Sequence, residues 1–300
     1  MKAPSPARAL RILAAIGAGA AFGILAGLGV RRVRALDLHV YPHTASGPAF
    51  VYTVCDEQGE PVRVLRAGGG YQSAVRLTRE GTRAEGLPFA YLRTFDRIFE
   101  PHAHGAPPAS RVLAIGGGGC AWPVHAALSH PELSLDIVEM DPAMARIARE
   151  RFFLDDAVAA SGTAPNGDAR LRVHIAEGRA FLECCPAGSF DAIANDTFTG
   201  TRPARALATV EAARAAKRAL KEHGALYSNV SSSNGGRDLA FLRAFAASCR
   251  EVFAHVHVIP CEDEEFSGED NYLLIATDGP WRYEGALPLP PEFFGEALRD

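Results

Sequence analysis

The stretch RVLAIGGGGCAWPVHAALSHPELSLDIVEMD, from Arg111 to Asp141, limits what this chain can become. It opens with Val112-Leu113-Ala114-Ile115, a short apolar run of the kind a fully buried parallel strand needs. Four glycines follow, Gly116 to Gly119, and then a helical segment from Trp122 to Ser129. A second apolar run, Leu135 to Val138, ends in Glu139 and Asp141. Strand, glycine turn, helix, strand and acid make the start of a Rossmann-type βαβ unit. Glycines let the backbone approach a ligand closely, and an acid at the tip of the second strand can accept both hydroxyls of a ribose. Twenty residues separate Gly119 from Glu139, close to the spacing of the dinucleotide fingerprint. Counted from Gly116, the third glycine position of that fingerprint is Ala121, which it tolerates. A nucleoside-type ligand is expected, and the turn alone does not separate a pyrophosphate from another nucleoside.

The rest of the chain excludes several classes. At 300 residues, 48% of them apolar and 22% charged, it can bury the core of one large domain with a small attachment. A net charge of −4, with no long basic patch after residue 34, argues against nucleic acid as a partner. The six cysteines contain no CxxC and read as reduced, mostly buried thiols. Ten scattered histidines show no metal-ligand spacing, so no metal is expected.

Residues 1–34 differ in kind. Ile12 to Val30 is a run of 19 uncharged residues, flanked by Lys2, Arg8 and Arg11 before it and Arg31, Arg32 and Arg34 after it. That length can just cross a bilayer, which predicts a single-pass anchor in the cell membrane; a cleaved signal peptide is the alternative. Basic residues on both sides leave the orientation open, and a cytosolic nucleoside ligand would require the C-terminal part to face the cytoplasm.

Residues 36–80 read as a β-rich subdomain. Ala49 to Cys55 and Pro61 to Leu65 flank a polar break at Asp56 to Glu60, which fits a hairpin, and Tyr71 to Leu77 is a further strand after Gly68-Gly69-Gly70. Within residues 81–110, Leu87 to Phe99 reads as a helix with Tyr91, Phe95 and Phe99 as a core stripe, followed by a Pro- and Ala-rich linker. Residues 111–280 continue the alternation. Helices are expected over Pro142–Phe153, from Glu177-Gly178 to Cys184, Pro203–Lys221 and Asp238–Phe253, with Asp155–Asp168 as a loop. Strands are expected at Leu171–Ile175, Phe190–Ala194, Ala225–Val230, Val256–Ile259 and Tyr272–Ala276, leaving residues 281–300 as a tail. This is a mostly parallel α/β sheet with helices on both faces and an antiparallel strand at or near one edge. Ligands in such sheets bind beyond the carboxyl ends of the strands, where Gly116 to Gly119, Glu139, Asp141, Glu177, Gly178, Asn195 and Asp196 converge by topology.

In that order and at those spacings, GYQS (Gly70–Ser73), VLAIGGGG (Val112–Gly119), VEMD (Val138–Asp141), AEGRAFL (Ala176–Leu182) and FDAIAND (Phe190–Asp196) resemble the spermidine synthase family. The resemblance runs from about Gly70 to Asp278 and falls within the class I S-adenosylmethionine-dependent transferases. It implies a seven-stranded Rossmann-like methyltransferase fold and favours a nucleoside-sulfonium ligand over a pyrophosphate. It also implies roles: Gly116 to Gly119 and Glu139 for the methionine-derived chain and ribose, and Glu177 for the adenine, with Asp141 and Gly178 in the same cofactor-binding set. Tyr71 and Gln72 would line the amine pocket, and Asp196 would take the proton from an attacking amine. The co-substrate would be S-adenosylmethionine or its decarboxylated form, the acceptor a small amine, and the assembly a homodimer.

Two departures weaken the electrostatic case for a diamine. The family's loop reads GGGDGG, and the position of its aspartate is Gly119 here; the second aspartate of its DSSDP motif is Thr199. Three readings follow. The first is an aminopropyltransferase with Asp196 as base. In the second, a methyltransferase, Gly119 removes an acid that would repel the donor's carboxylate. The third is a non-catalytic, membrane-tethered adenosyl-binding domain.

Overall fold

The computed structural model describes residues 37–100, 109–199, 202–232, 238–261 and 271–300. An antiparallel four-stranded sheet comes first: β1 (His39–Thr44), β2 (Gly47–Cys55), β3 (Pro61–Ala67) and β4 (Gly70–Arg76), in that order. The β2–β3 turn forms because the Asp56 carboxylate accepts the N–H groups of Gln58 and Glu60 at 3.0 and 2.9 Å, while its other oxygen pairs with Arg76. Polar residues 56–60 therefore close the hairpin that the two apolar runs require, with Val51 opposite Leu65.

Helix α1 (Ala90–Thr94) continues as a 3-10 turn, Phe95–Phe99. The expected longer helix is thus a five-residue helix and a tighter turn, which buries Phe95 but leaves Tyr91 and Phe99 half-buried.

Then the alternation sets in: β5 (Arg111–Gly116), α2 (Ala121–Ser129), β6 (Ser134–Glu139), α3 (Pro142–Arg151), α4 (Leu154–Ser161), β7 (Leu171–Ile175), α5 (Gly178–Cys184) and β8 (Phe190–Asp196). A two-residue ribbon, β9 (Phe198–Thr199) with β10 (Arg202–Pro203), precedes α6 (Val210–Ala219), β11 (Leu220–Ser231), α7 (Ala240–Arg250), β12 (His255–Cys261) and β13 (Asn271–Thr277). Two sequence expectations fail here. Residues 155–168 were expected as loop, yet α4 forms: Leu154 and Ala157 are buried one turn apart, and Asp155 and Asp156 favour a helix start. The helix expected from Pro203 starts instead at Val210, after the Thr209 hydroxyl caps Ala212 N–H at 3.1 Å, and Leu220 already belongs to the strand.

The large sheet runs β12-β13-β11-β8-β5-β6-β7. All neighbours from β11 to β7 are parallel; β13 is antiparallel to both β11 and β12 and so lies one place in from the edge. Helix α2 and the aromatic side chains around α1 cover one face, with Tyr227, Ile137 and Ile275 in that core. Residues of α5, α6 and α7 cover the other, with Leu113, Ile193 and Leu274. From β5 the chain steps outward to β6 and β7, then returns to β8 on the other side of β5. The β5–β8 boundary is therefore the topological switch point, where α/β sheets open a crevice.

The expected single-pass location in the cell membrane is corrected. No helix among the described residues is long and apolar enough to cross a membrane. The run from Ile12 to Val30, which carried that expectation, lies outside the described residues.

Candidate active site

At the switch point, Gly116 pairs with Asp196, and Gly117 N–H donates to the Asp196 carbonyl at 3.1 Å. One residue earlier, Ile115 pairs with Val138. Glu139, Gly116 and Asp196 thus end three neighbouring strands at one level, with Glu139 and Asp196 two strand spacings apart, about 10 Å.

The glycines are needed for two different reasons. A Cβ on Gly116 would lie 2.5 Å from the Asp196 carbonyl oxygen, and one on Gly118 would lie 2.9 Å from the Gln72 carbonyl oxygen. On Gly119 it would meet Ser73 Cβ at 2.8 Å and the Phe152 ring at 3.0 Å. At these positions the absent side chain lets β4 and β8 close on the turn. Gly117, with φ of +109°, is the glycine of this turn that has nothing within 4 Å of its missing Cβ. Gly178 likewise serves packing, since its Cβ would lie 2.4 Å from Ile115 Cγ2.

The acids divide in the same way. Asp141 is committed: one carboxylate oxygen caps α3 through Ala143 N–H at 2.8 Å, and the other accepts Ala45 N–H at 2.7 Å, holding the β1–β2 turn. Glu177 caps α5 with both oxygens, accepting Arg179 and Ala180 N–H at 3.0 and 2.8 Å. Glu139 is buried, and one of its oxygens accepts Asp141 N–H at 2.8 Å. Burial pushes its carboxyl up to about 7, the Asp141 charge adding to the rise and backbone N–H donors opposing it. The backbone N–H groups of Asp141 and Met140 both act on this carboxylate. Burial and the charge of Glu139 both raise the Cys120 thiol, so this cysteine fills space beside the turn as a neutral group.

Asp196 is half-buried at the end of β8. Asn229 Nδ2, from the neighbouring β11, donates to its Oδ1 at 2.9 Å. Burial pushes the carboxyl up to about 6, and the Asn229 hydrogen bond pulls the other way. No cation pairs with it among the described residues. A carboxylate in this state can accept a proton near neutral pH.

The lead-in sheet reaches the same place. Gln72 lies against Gly118 through its backbone, while its side-chain amide donates to the Ala67 carbonyl at 3.2 Å. Tyr71 joins an aromatic group, 5.9 Å from Phe89, which is 5.7 Å from Tyr91; the Arg66 guanidinium lies 5.8 Å from its ring.

Three residues escaped the sequence reading. Met140 and Ile175 are apolar yet 63% and 53% exposed, and Ile175 pairs with Glu139 in the sheet. Two bare apolar side chains beside a buried acid form a surface suited to a flat base. Their only signal in sequence was position, Met140 just after β6 and Ile175 at the end of β7. Asn229, the partner of Asp196, gave no signal because it lies 33 residues away along the chain.

The sheet order, glycine turn and rim acids define the class: the fold is that of the class I S-adenosylmethionine-dependent transferases. The chain matches the spermine/spermidine synthase domain family over residues 102–261, and it belongs to that family. Among its relatives, spermidine synthase 1 of Hyoscyamus niger is 29% identical over 182 residues, covering 58% of this chain and 53% of the relative. Putrescine N-methyltransferase 4 of Nicotiana tabacum is 26% identical over 186 residues, covering 59% of this chain and 44% of the relative. The chain therefore spans about half the length of the curated relatives it matches. The crystal structure of a probable spermidine synthase from Corynebacterium glutamicum shares the fold, with a TM-score of 0.61 at 22% identity over 81% of both chains.

Proposed function

We propose that this protein is a transferase that moves an aminopropyl group from decarboxylated S-adenosylmethionine to a small amine, with Asp196 as general base. The observation that carries the reading is Asp196 itself. It is a carboxylate with no cation against it among the described residues, raised to about 6, one strand from the glycine turn and two from Glu139. The Glu139 carboxylate would take the ribose hydroxyls, Gly117 would face the donor with bare backbone, and Met140 and Ile175 would flank the adenine. A bound donor supplies an electrophilic carbon on a sulfonium.

At that carbon the acceptor nitrogen forms the new C–N bond. The C–S bond breaks with its electron pair on sulfur, a neutral thioether departs, and Asp196 takes the proton released from nitrogen. A protonated amine has no lone pair, so the acceptor attacks as the neutral amine, and a carboxylate that accepts its N–H orients it and takes that proton as the new bond forms.

A second reading, methyl transfer from intact S-adenosylmethionine, is favoured by one observation. Gly119 leaves no acid to repel a donor carboxylate, and Ser73 and Phe152 fill the space an acid there would need. Calorimetric titration separates the readings. Tighter binding of the decarboxylated donor, with aminopropyl transfer to putrescine, is expected. The reverse order with methyl transfer supports the second reading, and binding of neither donor ends both.

A further inference from the structure

Asn229 holds its partner in a defined way. Its amide must turn Nδ2 toward Asp196, because the opposite orientation would set the amide oxygen against a carboxylate oxygen. With Nδ2 engaged, the Asn229 Oδ1 is buried and receives no hydrogen bond from any group among the described residues. Its neighbours on the other face of the sheet are satisfied among themselves: Asn195 Nδ2 donates to Ser228 Oγ at 3.3 Å, and Thr197 Oγ1 donates to Asn195 Oδ1 at 2.7 Å. A buried acceptor left without a donor is costly, and folded proteins keep few of them.

Asp196 contributes the other half. Its Oδ1 is taken by Asn229, which leaves Oδ2 to receive the proton. Two acceptors, Asp196 Oδ2 and Asn229 Oδ1, then stand on one rigid frame, joined by the 2.9 Å hydrogen bond and held by the β8–β11 pairing of Asn195 with Ser228. A neutral primary amine carries two N–H groups and one lone pair. If both N–H groups are accepted, the lone pair has a single direction left. A secondary amine has one N–H and leaves an acceptor empty.

We propose that Asn229 is a positioning residue, which holds Asp196 through its amide N–H and accepts the second N–H of a primary amine through its amide oxygen. The inference rests on the amine-transfer reading above. It adds that the site tells primary from secondary amines by hydrogen bonding, beyond any effect of bulk. A site built to hydrogen-bond a substrate N–H rejects an analogue lacking it far more strongly than a methyl group's bulk alone would.

The test compares putrescine with N,N′-dimethylputrescine, both ends of which are secondary amines, using whichever donor the protein turns over. Wild-type kcat/KM is expected to favour the primary diamine by at least about tenfold. In Asn229→Leu, kcat/KM for putrescine falls and the preference shrinks to the part that bulk imposes, while calorimetric donor affinity stays within about twofold. Equal use of the two amines by the wild-type enzyme overturns the inference and needs no variant. So does an unchanged preference in Asn229→Leu with donor affinity intact. Failure to turn over either amine with either donor overturns the transferase reading itself, and is thereby distinguished from a failure confined to Asn229.

Discussion

Glu139 is a buried carboxylate with no cation against it among the described residues, so it burdens the ligand-free fold. Its pKa rises from 4.5 to about 7, mainly by burial. The folded chain therefore holds this proton more tightly than the unfolded chain. The resulting stabilisation is complete below about 4.5 and is lost as pH rises through about 7. At 1.36 kcal/mol per pKa unit the loss is about 3 kcal/mol. Glu139→Gln keeps the acceptor for Asp141 N–H and does not titrate. Urea unfolding should therefore show the variant gaining about 3 kcal/mol on wild type between pH 4 and pH 8, while its affinity for an adenosyl donor falls. A difference independent of pH would mean that Glu139 is hydrated in the free protein. At Asp196 the consequence is kinetic. The Asp196→Asn variant should lose roughly 10²- to 10⁴-fold in kcat with donor affinity nearly unchanged. Wild-type kcat/KM should rise as pH passes about 6 and flatten above it, since only the ionised carboxylate accepts the proton. Survival of turnover in the variant would remove Asp196 as the base.

Elements explain why the family's missing acid is not a simple deletion. The turn after β5 is wedged between β4 and the C-terminal end of α3, with Ser73 Cβ and the Phe152 ring where a side chain at position 119 would begin. Putting the acid back as Gly119→Asp should therefore destabilise the protein by about 1–3 kcal/mol through overpacking, lower Tm by several degrees, and fail to improve binding of the decarboxylated donor. A variant as stable as wild type that binds this donor more tightly would show that the wedge yields. The sequence made the turn itself legible, because four glycines after a buried apolar run have few other uses. Its partners were not legible. Nothing local in Tyr71-Gln72-Ser73 indicates that Gln72 and Ser73 close on glycines more than 40 residues later, and that these glycines also make room for protein was therefore not legible. The same limit applies to the acids. Glu139, Asp141 and Glu177 look alike at strand ends, but two of them spend their oxygens on helix caps and a turn. Helix α4 was misread because a short polar segment shows only two buried apolar positions, too few for a period to emerge.

Across the whole molecule, the small sheet and the large one share a core through α3. Val51, Leu65 and Val75 of the small sheet meet Met144, Ile147 and Phe152 in one buried cluster. Polar ties surround it: Tyr41 donates to Glu150 at 2.9 Å, Arg63 donates to the Arg151 carbonyl at 2.9 Å, and Ala45 N–H reaches Asp141 at 2.7 Å. Because that last tie ends on the residue that caps α3, just beyond Glu139, docking of the small sheet and the shape of the rim at Glu139 are set by the same contacts. The sheets should therefore unfold together. Ile147 is completely buried between them, so Ile147→Ala should cost about 2–5 kcal/mol and lower Tm without splitting the transition. Trp122 and Trp281 both lie outside the small sheet, so tryptophan fluorescence reports the large unit and far-ultraviolet circular dichroism reports both. Coincident urea transitions by the two probes, in wild type and variant alike, are the expected result. An early dichroism transition with fluorescence unchanged would show that the small sheet unfolds alone, and that the glycine turn and Glu139 keep their arrangement without it.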